Sequence, residues 1–285
     1  MLLITGANGR LGSAIVNQIS KDLNNHQFIV SSSSQNGIEK LSKKGFNARL
    51  ANFDNIETLN KAFEGVDKLV LISTMDQNRF QQHKNVIDSA INSGVKHIYY
   101  TSLSIKNIEN SYTRDLMISH FETEDYLKQS GINYTIFRNT MYAEALKELL
   151  LFDHDTNTVK SPAGIGKIPF ATIKELGECI AKSVLRNDNP NEIINLTGSE
   201  FYTIPEIIDI INNIKSTDYK YIDVSVDEYS NYLKSKSFNE FLIYLHTSTL
   251  SDVNNKQYEI KEDQLENLIG RKSASAETFL IDIFK

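Results

Sequence analysis

Three glycines, Gly6, Gly9 and Gly12, recur at every third residue in the opening stretch LLITGANGRLGSAIV, between a short apolar run and an apolar helical pattern. A phosphate can approach the first turn of a helix closely, because free N–H groups and the macrodipole there favour an anion. Side chains at the first two glycines would obstruct that approach, and the third glycine lets the helix pack tightly on the strand. In this strand–turn–helix setting the spacing predicts a dinucleotide loop made of Gly6, Asn8, Gly9, Arg10, Leu11 and Gly12. A tight turn with no ligand is the competing reading. Further along, His120 and Glu124 stand four apart in HFETE, on one helix face. An imidazole of near-neutral pKa is a candidate proton donor; a histidine partly buried and hydrogen-bonded across its helix is the plainer alternative. Two side chains do not complete a metal shell and HExxH is absent, so no metal is expected. The one cysteine, Cys179, lies in ELGECIAKSVL and reads as a small buried apolar residue. Alone it excludes an internal disulfide framework and a thiolate cluster.

The whole chain bounds the classes that remain. Its 285 residues suit one large domain or two small ones. With 30 Lys and Arg against 36 Asp and Glu, the net charge is −6. Nothing obvious attracts a phosphate polymer, so neither nucleic acid nor an anionic membrane is an expected partner. No stretch approaches about 18 apolar residues, which argues against membrane insertion. Met1 leads straight into a strand with no signal-like segment, so a cytoplasmic protein is expected.

The elements that must hold these residues follow from periodicity. β-rich apolar runs fall at 2–5, 27–32, 47–51, 68–72, 97–101 and 134–137, with helical patterns at 11–23, 37–44, 56–63, 80–92 and 114–129 between them. That rhythm predicts right-handed βαβ units and a Rossmann-type, doubly wound α/β fold around a parallel sheet. LVLIST is apolar throughout, as a central strand buried on both faces should be. After about residue 150 the rhythm loosens into a turn-rich segment, then helices with strands at EIINLTG and KYIDVSV. The expected division is a dinucleotide-binding domain over 1–150 and a smaller C-terminal α/β lobe over 151–285, some segments returning to the sheet. In such a sheet the ligand lies along the carboxyl edge of the strands. That selects Ser73, Thr74 and Met75, then Thr101, Ser102 and Leu103, then Arg138 and Asn139.

The wider pattern TGxxGxxG, with Thr5, belongs to the short-chain dehydrogenase/reductase superfamily. Together with DKLVLIST, QHKNVIDSAINSGVKHIYYTSL, HFETEDYLKQSGINYTIFRNTMYAE and GIGKIPFATIKELGECIA, it resembles the NmrA-like atypical branch. Within that branch the chain is similar to the NAD(P)H:quinone oxidoreductase type 2 group. The resemblance implies an enzyme that binds NAD(P)H, with no flavin, and reduces a small quinone-like acceptor, as a monomer or a homodimer. A redox sensor of the NmrA type, binding NADP(H) without chemistry, is the alternative; a sugar-nucleotide epimerase is a weaker one. RNTMYAE resembles the family segment beside nicotinamide and substrate, which nominates Asn139, Tyr142 and Glu144; a helix N-cap for Asn139 and an interlobe packing aromatic for Tyr142 are the alternatives. AGIGKIPF resembles a loop closing over the site, a mobile lid with Phe170 against the acceptor; an ordinary connection between lobes is the alternative. Arg79 and His83 match the family pattern at the start of the fourth helix, where packing or dimer contacts are expected.

Two departures from the wider pattern matter. Typical members carry Tyr-x-x-x-Lys on the fifth helix, but here Tyr112 and Tyr126 are followed four residues on by Leu116 and Ser130. Tyr232 and Lys236 have the spacing, far down the C-terminal lobe, where coincidence explains it. Carbonyl reduction needs an acid for the developing alkoxide, whereas a quinone accepts hydride if the rings are simply held together. At the end of the second strand, Ser31 to Ser34 stand where an acid would select NAD(H) and an arginine NADP(H). The resemblance places that arginine at about Ser33. With no acid there to repel a phosphate and no arginine to accept it, Arg10 becomes the candidate phosphate contact, with Ser32 and Ser33 as neutral donors, and NADP(H) is expected over NAD(H). For Arg10 a solvated first-turn side chain is the alternative.

Overall fold

A computed structural model describes residues 1–186 and 191–285. The first half alternates strictly: β1 (Leu2–Ile4), α1 (Arg10–Ile19), β2 (Phe28–Ser32), α2 (Gln35–Lys43), β3 (Asn47–Leu50), α3 (Ile56–Ala62), β4 (Lys68–Leu71), α4 (Arg79–Asn92), β5 (His97–Leu103), α5 (Arg114–Gln129) and β6 (Asn133–Asn139). There follow α6 (Leu146–Leu149), β7 (Phe152–Asp153), β8 (Thr158–Ser161), β9 (Lys167–Ile168), α7 (Ile173–Leu185) and β10 (Glu192–Leu196). The chain ends with β11 (Tyr202–Thr203), α8 (Ile204–Lys215), β12 (Lys220–Asp223), α9 (Val226–Ser235), α10 (Glu240–Asn254), α11 (Gln264–Ile269) and α12 (Ala276–Ile283).

The main sheet is parallel in the order β3-β2-β1-β4-β5-β6-β10, the doubly wound Rossmann-type arrangement. Alternation along each strand splits its side chains between two cores. Leu2, Ile4, Phe28, Val30, Val70, Tyr99 and Phe137 face α1, α7 and α11. Leu3, Ile29, Leu69, Leu71, Ile98, Tyr100 and Ile136 face the helices α3, α4 and α5. Both faces are covered, so the strands are apolar throughout rather than alternating.

The C-terminal lobe has its own core, with Leu146, Phe170, Ile207, Leu233, Leu250 and Phe279 buried together. Small sheets β12-β8-β7 and β11-β9 belong to it. The turn-rich reading of 151–170 overlooked β7, β8 and β9. Their pairing explains why: β8 is held by parallel register to β12, Thr158 opposite Lys220, so no local pattern announces it. The chain also crosses between layers more than once. α7 packs on α1, and β10 pairs with β6 as an edge strand of the main sheet. Between the lobes the fully buried Asp252 of α10 accepts hydrogen bonds from Ser111 Oγ at 2.6 Å, Tyr112 N at 2.7 Å, Thr113 N at 3.1 Å and Thr113 Oγ1 at 2.9 Å. This latch fixes the segment that enters α5 against the lobe.

The contact of α7 with α1 leaves no room for a side chain at Gly177: a Cβ there would lie 2.7 Å from Ala14 Cβ. Gly177→Leu should overpack this interface and cost about 1–3 kcal/mol. A lowered urea midpoint by circular dichroism checks this; an unchanged midpoint contradicts the packing described.

Candidate functional site

At the carboxyl edge of β1 the chain turns on Gly6, whose φ is +57°, and Gly9 N–H donates back to the Gly6 carbonyl at 2.9 Å. α1 starts at once, with Gly9 as its N-cap, no side-chain cap and no acidic residue in its first turn. Its leading amides are therefore not covered by a side chain of their own cap. Gly12 sits flush on the turn: a Cβ there would be 2.2 Å from the Gly6 oxygen. Leu11 is buried in the core, so it presents its amide rather than its side chain. Asn8 donates from Nδ2 to the Gly37 carbonyl at 3.2 Å and ties the loop to α2. Ala7 N–H donates to the Ser31 carbonyl at 3.1 Å, and Thr5 Oγ1 receives the Ile72 amide at 2.9 Å. These bonds hold a close-packed, positively polarised edge that fits a dinucleotide pyrophosphate.

The end of β2 lies beside this loop. Ser32 is nearly buried, and its Oγ would be 2.0 Å from a Cβ at Gly37. Ser33 is exposed, whereas Ser34 caps α2 by accepting from Gly37 N–H at 3.2 Å. No acidic residue occupies the first turn of α2. Arg10 reaches across to Glu148 at 3.5 Å, with both side chains about three-fifths exposed (60% and 61%). An exposed pair of that length is worth little.

Farther along the edge, Ser73 N–H donates to Thr101 Oγ1 at 2.9 Å, and Thr74 Oγ1 donates to Gln82 Oε1 at 3.0 Å. Met75 is exposed. Ser102 Oγ donates to Glu124 Oε1 at 2.6 Å, and Arg138 grips the same carboxylate through Nε at 2.9 Å and Nη2 at 2.6 Å. Glu124 is fully buried, and this two-pronged pair satisfies it. Asn139, also buried, ends β6 rather than capping a helix. Its Nδ2 donates to Tyr142 Oη at 3.4 Å, whereas its Oδ1 is sealed without a partner, as is the nearby Ser104 Oγ. Burial pushes the Tyr142 hydroxyl above its ordinary pKa. Ser104 carried no sequence signal; it enters the site only because its N–H bonds the Asn139 carbonyl across β5 and β6 at 2.9 Å.

Several expectations need correction. His120 and Glu124 share a helix face, but each bonds elsewhere: His120 Nδ1 pairs with Tyr100 Oη at 3.1 Å. Burial, then the charge of Arg79, then His83 hold the His120 pKa well below its ordinary value. It stays a neutral imidazole near neutral pH and is not the near-neutral proton donor that its type alone suggested. Glu144 accepts the Ile173 amide with both oxygens at 3.1 Å, so its carboxylate is committed to the start of α7 rather than offered to a substrate. Phe170 is 2% exposed and packs edge-on to Phe279 in the lobe core, which leaves no open face for an acceptor. The loop before it is clamped rather than free: a Cβ at Gly166 would be 1.8 Å from the Val253 carbonyl oxygen. The glycine marks close approach to α10, not a hinge. Tyr232 and Lys236 lie at α9, within the lobe. Cys179 is buried, with its thiol pKa pushed up to about 12 by burial. Among the described residues no His, Cys, Asp and Glu group could hold a metal, and no helix is long and apolar enough to cross a membrane.

With this geometry in view, the comparisons are concordant. The model of the NmrA-like family matches residues 1–274. The chain is 32% identical over 261 residues to the NmrA-like family domain-containing oxidoreductase flvB of Aspergillus flavus, covering 87% of this chain and 85% of that protein. It is 29% identical over 236 residues to Quinone oxidoreductase 2 of Escherichia coli, covering 82% of each. The crystal structure of the NADPH-dependent quinone oxidoreductase QOR2 from Escherichia coli, complexed with NADPH, superposes with a TM-score of 0.91 at 26% identity over 100% of both chains.

The sealed histidines of the sheet domain set a pH response. Burial is the leading cause in each case: it lowers His83 to about 3 and His97 to about 4, and it lowers His120 as well. In the unfolded chain these imidazoles protonate near about 6.5. Below that pH the unfolded state binds more protons than the native state, so stability falls as pH falls from about 6.5 toward 4. Urea midpoints at pH 7 and pH 5 should differ in that direction, with a shallower dependence for His83→Gln. A midpoint that is flat or rises on acidification contradicts the burial of neutral imidazoles.

Proposed function

From the premise that the chain belongs to the NmrA-like family, we propose that it is an NADPH-dependent reductase that delivers hydride directly to a quinone-class acceptor. The observation that carries this reading is the uncapped, acid-free start of α1, set flush on the β1 edge by Gly12. The NADPH complex of its structural neighbour supports the choice of dinucleotide. When bound, the reduced nicotinamide supplies the hydride. The amides of Arg10, Leu11 and Gly12 would hold the pyrophosphate. Arg10, whose present pair with Glu148 is weak, turns to the 2′-phosphate together with Ser32 and Ser33. Ser73, Thr74, Met75, Thr101 and Ser102 border the ring along the carboxyl edge of β4 and β5. Asn139, at the end of β6, and Tyr142, just beyond it, would orient the acceptor; the Asn139 amide oxygen has no other partner. No Tyr–Lys pair stands on α5 to act as an acid. An electrophilic acceptor tolerates that, because orientation and exclusion of water supply most of what the step needs. The second proton of the hydroquinone comes from solvent.

Purified protein should oxidise NADPH above background when a simple benzoquinone is added. Intact dinucleotide binding with no turnover overturns the enzymatic reading and leaves a binding protein. Separately, Arg10→Ala should lower the NADPH-to-NADH affinity ratio by about tenfold, the scale of one charged hydrogen bond. Titration of both dinucleotides measures this, and an unchanged ratio moves phosphate recognition from Arg10 to the serines.

A further inference from the structure

Arg79 opens α4, yet it is 0% exposed. A guanidinium keeps its charge in a protein, and a buried charge is normally paired with a carboxylate. Here it forms no ion pair among the described residues. Nε donates to the Thr74 carbonyl at 2.5 Å, and Nη1 donates to the Leu116 carbonyl and Ser119 Oγ, each at 2.7 Å. Nη2 meets only the Met75 sulfur at 3.5 Å. A thioether is a weak acceptor for so strong a donor. Met75 is itself 64% exposed, so the cover over this nitrogen is a flexible side chain at the surface. Asp76 acts on the guanidinium only at longer range. The result is a buried cation with no carboxylate in direct contact among the described residues, behind a removable lid and beside Thr74 and Met75, which follow β4.

Hydride reduction supplies the matching charge. A quinone that accepts two electrons and one proton as hydride becomes a hydroquinone monoanion, with its negative charge on oxygen, until solvent protonates it. We propose that Arg79 is the specificity-determining charge of this site. It favours acceptors that carry, or gain with the hydride, a negative oxygen at the Met75 edge, and that oxygen displaces Met75 from Nη2. Arg79 also pins the exit of β4 to α5, so the charge and the wall that presents it are one device. The inference rests on the reduction proposed above, but its test need not.

Protein saturated with NADP⁺ is titrated with two quinones of one ring system: 2-hydroxy-1,4-naphthoquinone, an oxygen anion at neutral pH, and 2-methyl-1,4-naphthoquinone, which is neutral. The readout is the ratio of their affinities, which a purely structural role would leave unmoved. Arg79→Gln should lower the preference for the anion by about tenfold, a scale set by a charge at close range in a partly buried site. Arg79→Lys should retain most of the preference, and Met75→Ala should raise it. If Arg79→Gln does not fold, Met75→Ala and Arg79→Lys decide. An unchanged ratio in the folded variants overturns the proposal. If the ratio shifts as expected but NADPH is not oxidised by any quinone, the reduction falls and the anion preference stands. If NADPH is oxidised and the ratio is fixed, the anion preference alone falls.

Discussion

The architecture depends on one contact, the seating of Gly12 against the Gly6 carbonyl. A single Cβ at position 12 would place a carbon 2.2 Å from that oxygen, so α1 can lie on β1 only with glycine there. That seating aims the first amides of α1 along the carboxyl edge of the sheet. It also presents the far side of α1 to α7, which uses the same device at Gly177 against Ala14. α7 then delivers β10 to the sheet edge beside β6. Two close approaches thus set the start of α1 on β1 and link the C-terminal half to the sheet.

Around this frame lie several buried polar groups. Glu124 is matched by Arg138 and Ser102, and Asp252 by the segment at Ser111 to Thr113. Such groups add little net stability over well-packed apolar ones, but breaking either set leaves a stranded charge. They act as positioning devices, holding β5, β6, α5 and α10 in one register. Arg79 and Asn139 differ in kind. Among the described residues the cation has no carboxylate in direct contact and the amide oxygen has no donor, and both stand toward the carboxyl edge of the sheet.

Much of this could be read from the chain itself, and the limits have physical causes. β1, α1 and the glycines between them declare themselves locally, because turn geometry and helix periodicity are properties of neighbouring residues. The six sheet strands before residue 150 are legible for the same reason. β7, β8 and β9 are not, since two of them pair with segments far along the chain and are too short to show a period. Side-chain roles fared by the same rule. Residue type suggested that His120 titrates near neutrality, but its environment, set by Arg79, His83 and burial, decides otherwise. Glu144 and Phe170 carried family-like sequence, yet one serves the start of α7 and the other a core. Arg79 was visible only as a packing or dimer-contact residue, because the lack of a directly paired countercharge is a fact of three dimensions.

The central claim is that the edge built by Gly6, Gly9 and Gly12 binds the dinucleotide so that hydride passes directly to the acceptor. A single-turnover comparison of NADPH with NADPH deuterated at the transferable nicotinamide position tests it most directly. The account predicts oxidation that begins only when quinone is added and is slower for the deuterated dinucleotide by a primary isotope effect. Dinucleotide bound at this edge but left unoxidised by any quinone would contradict it.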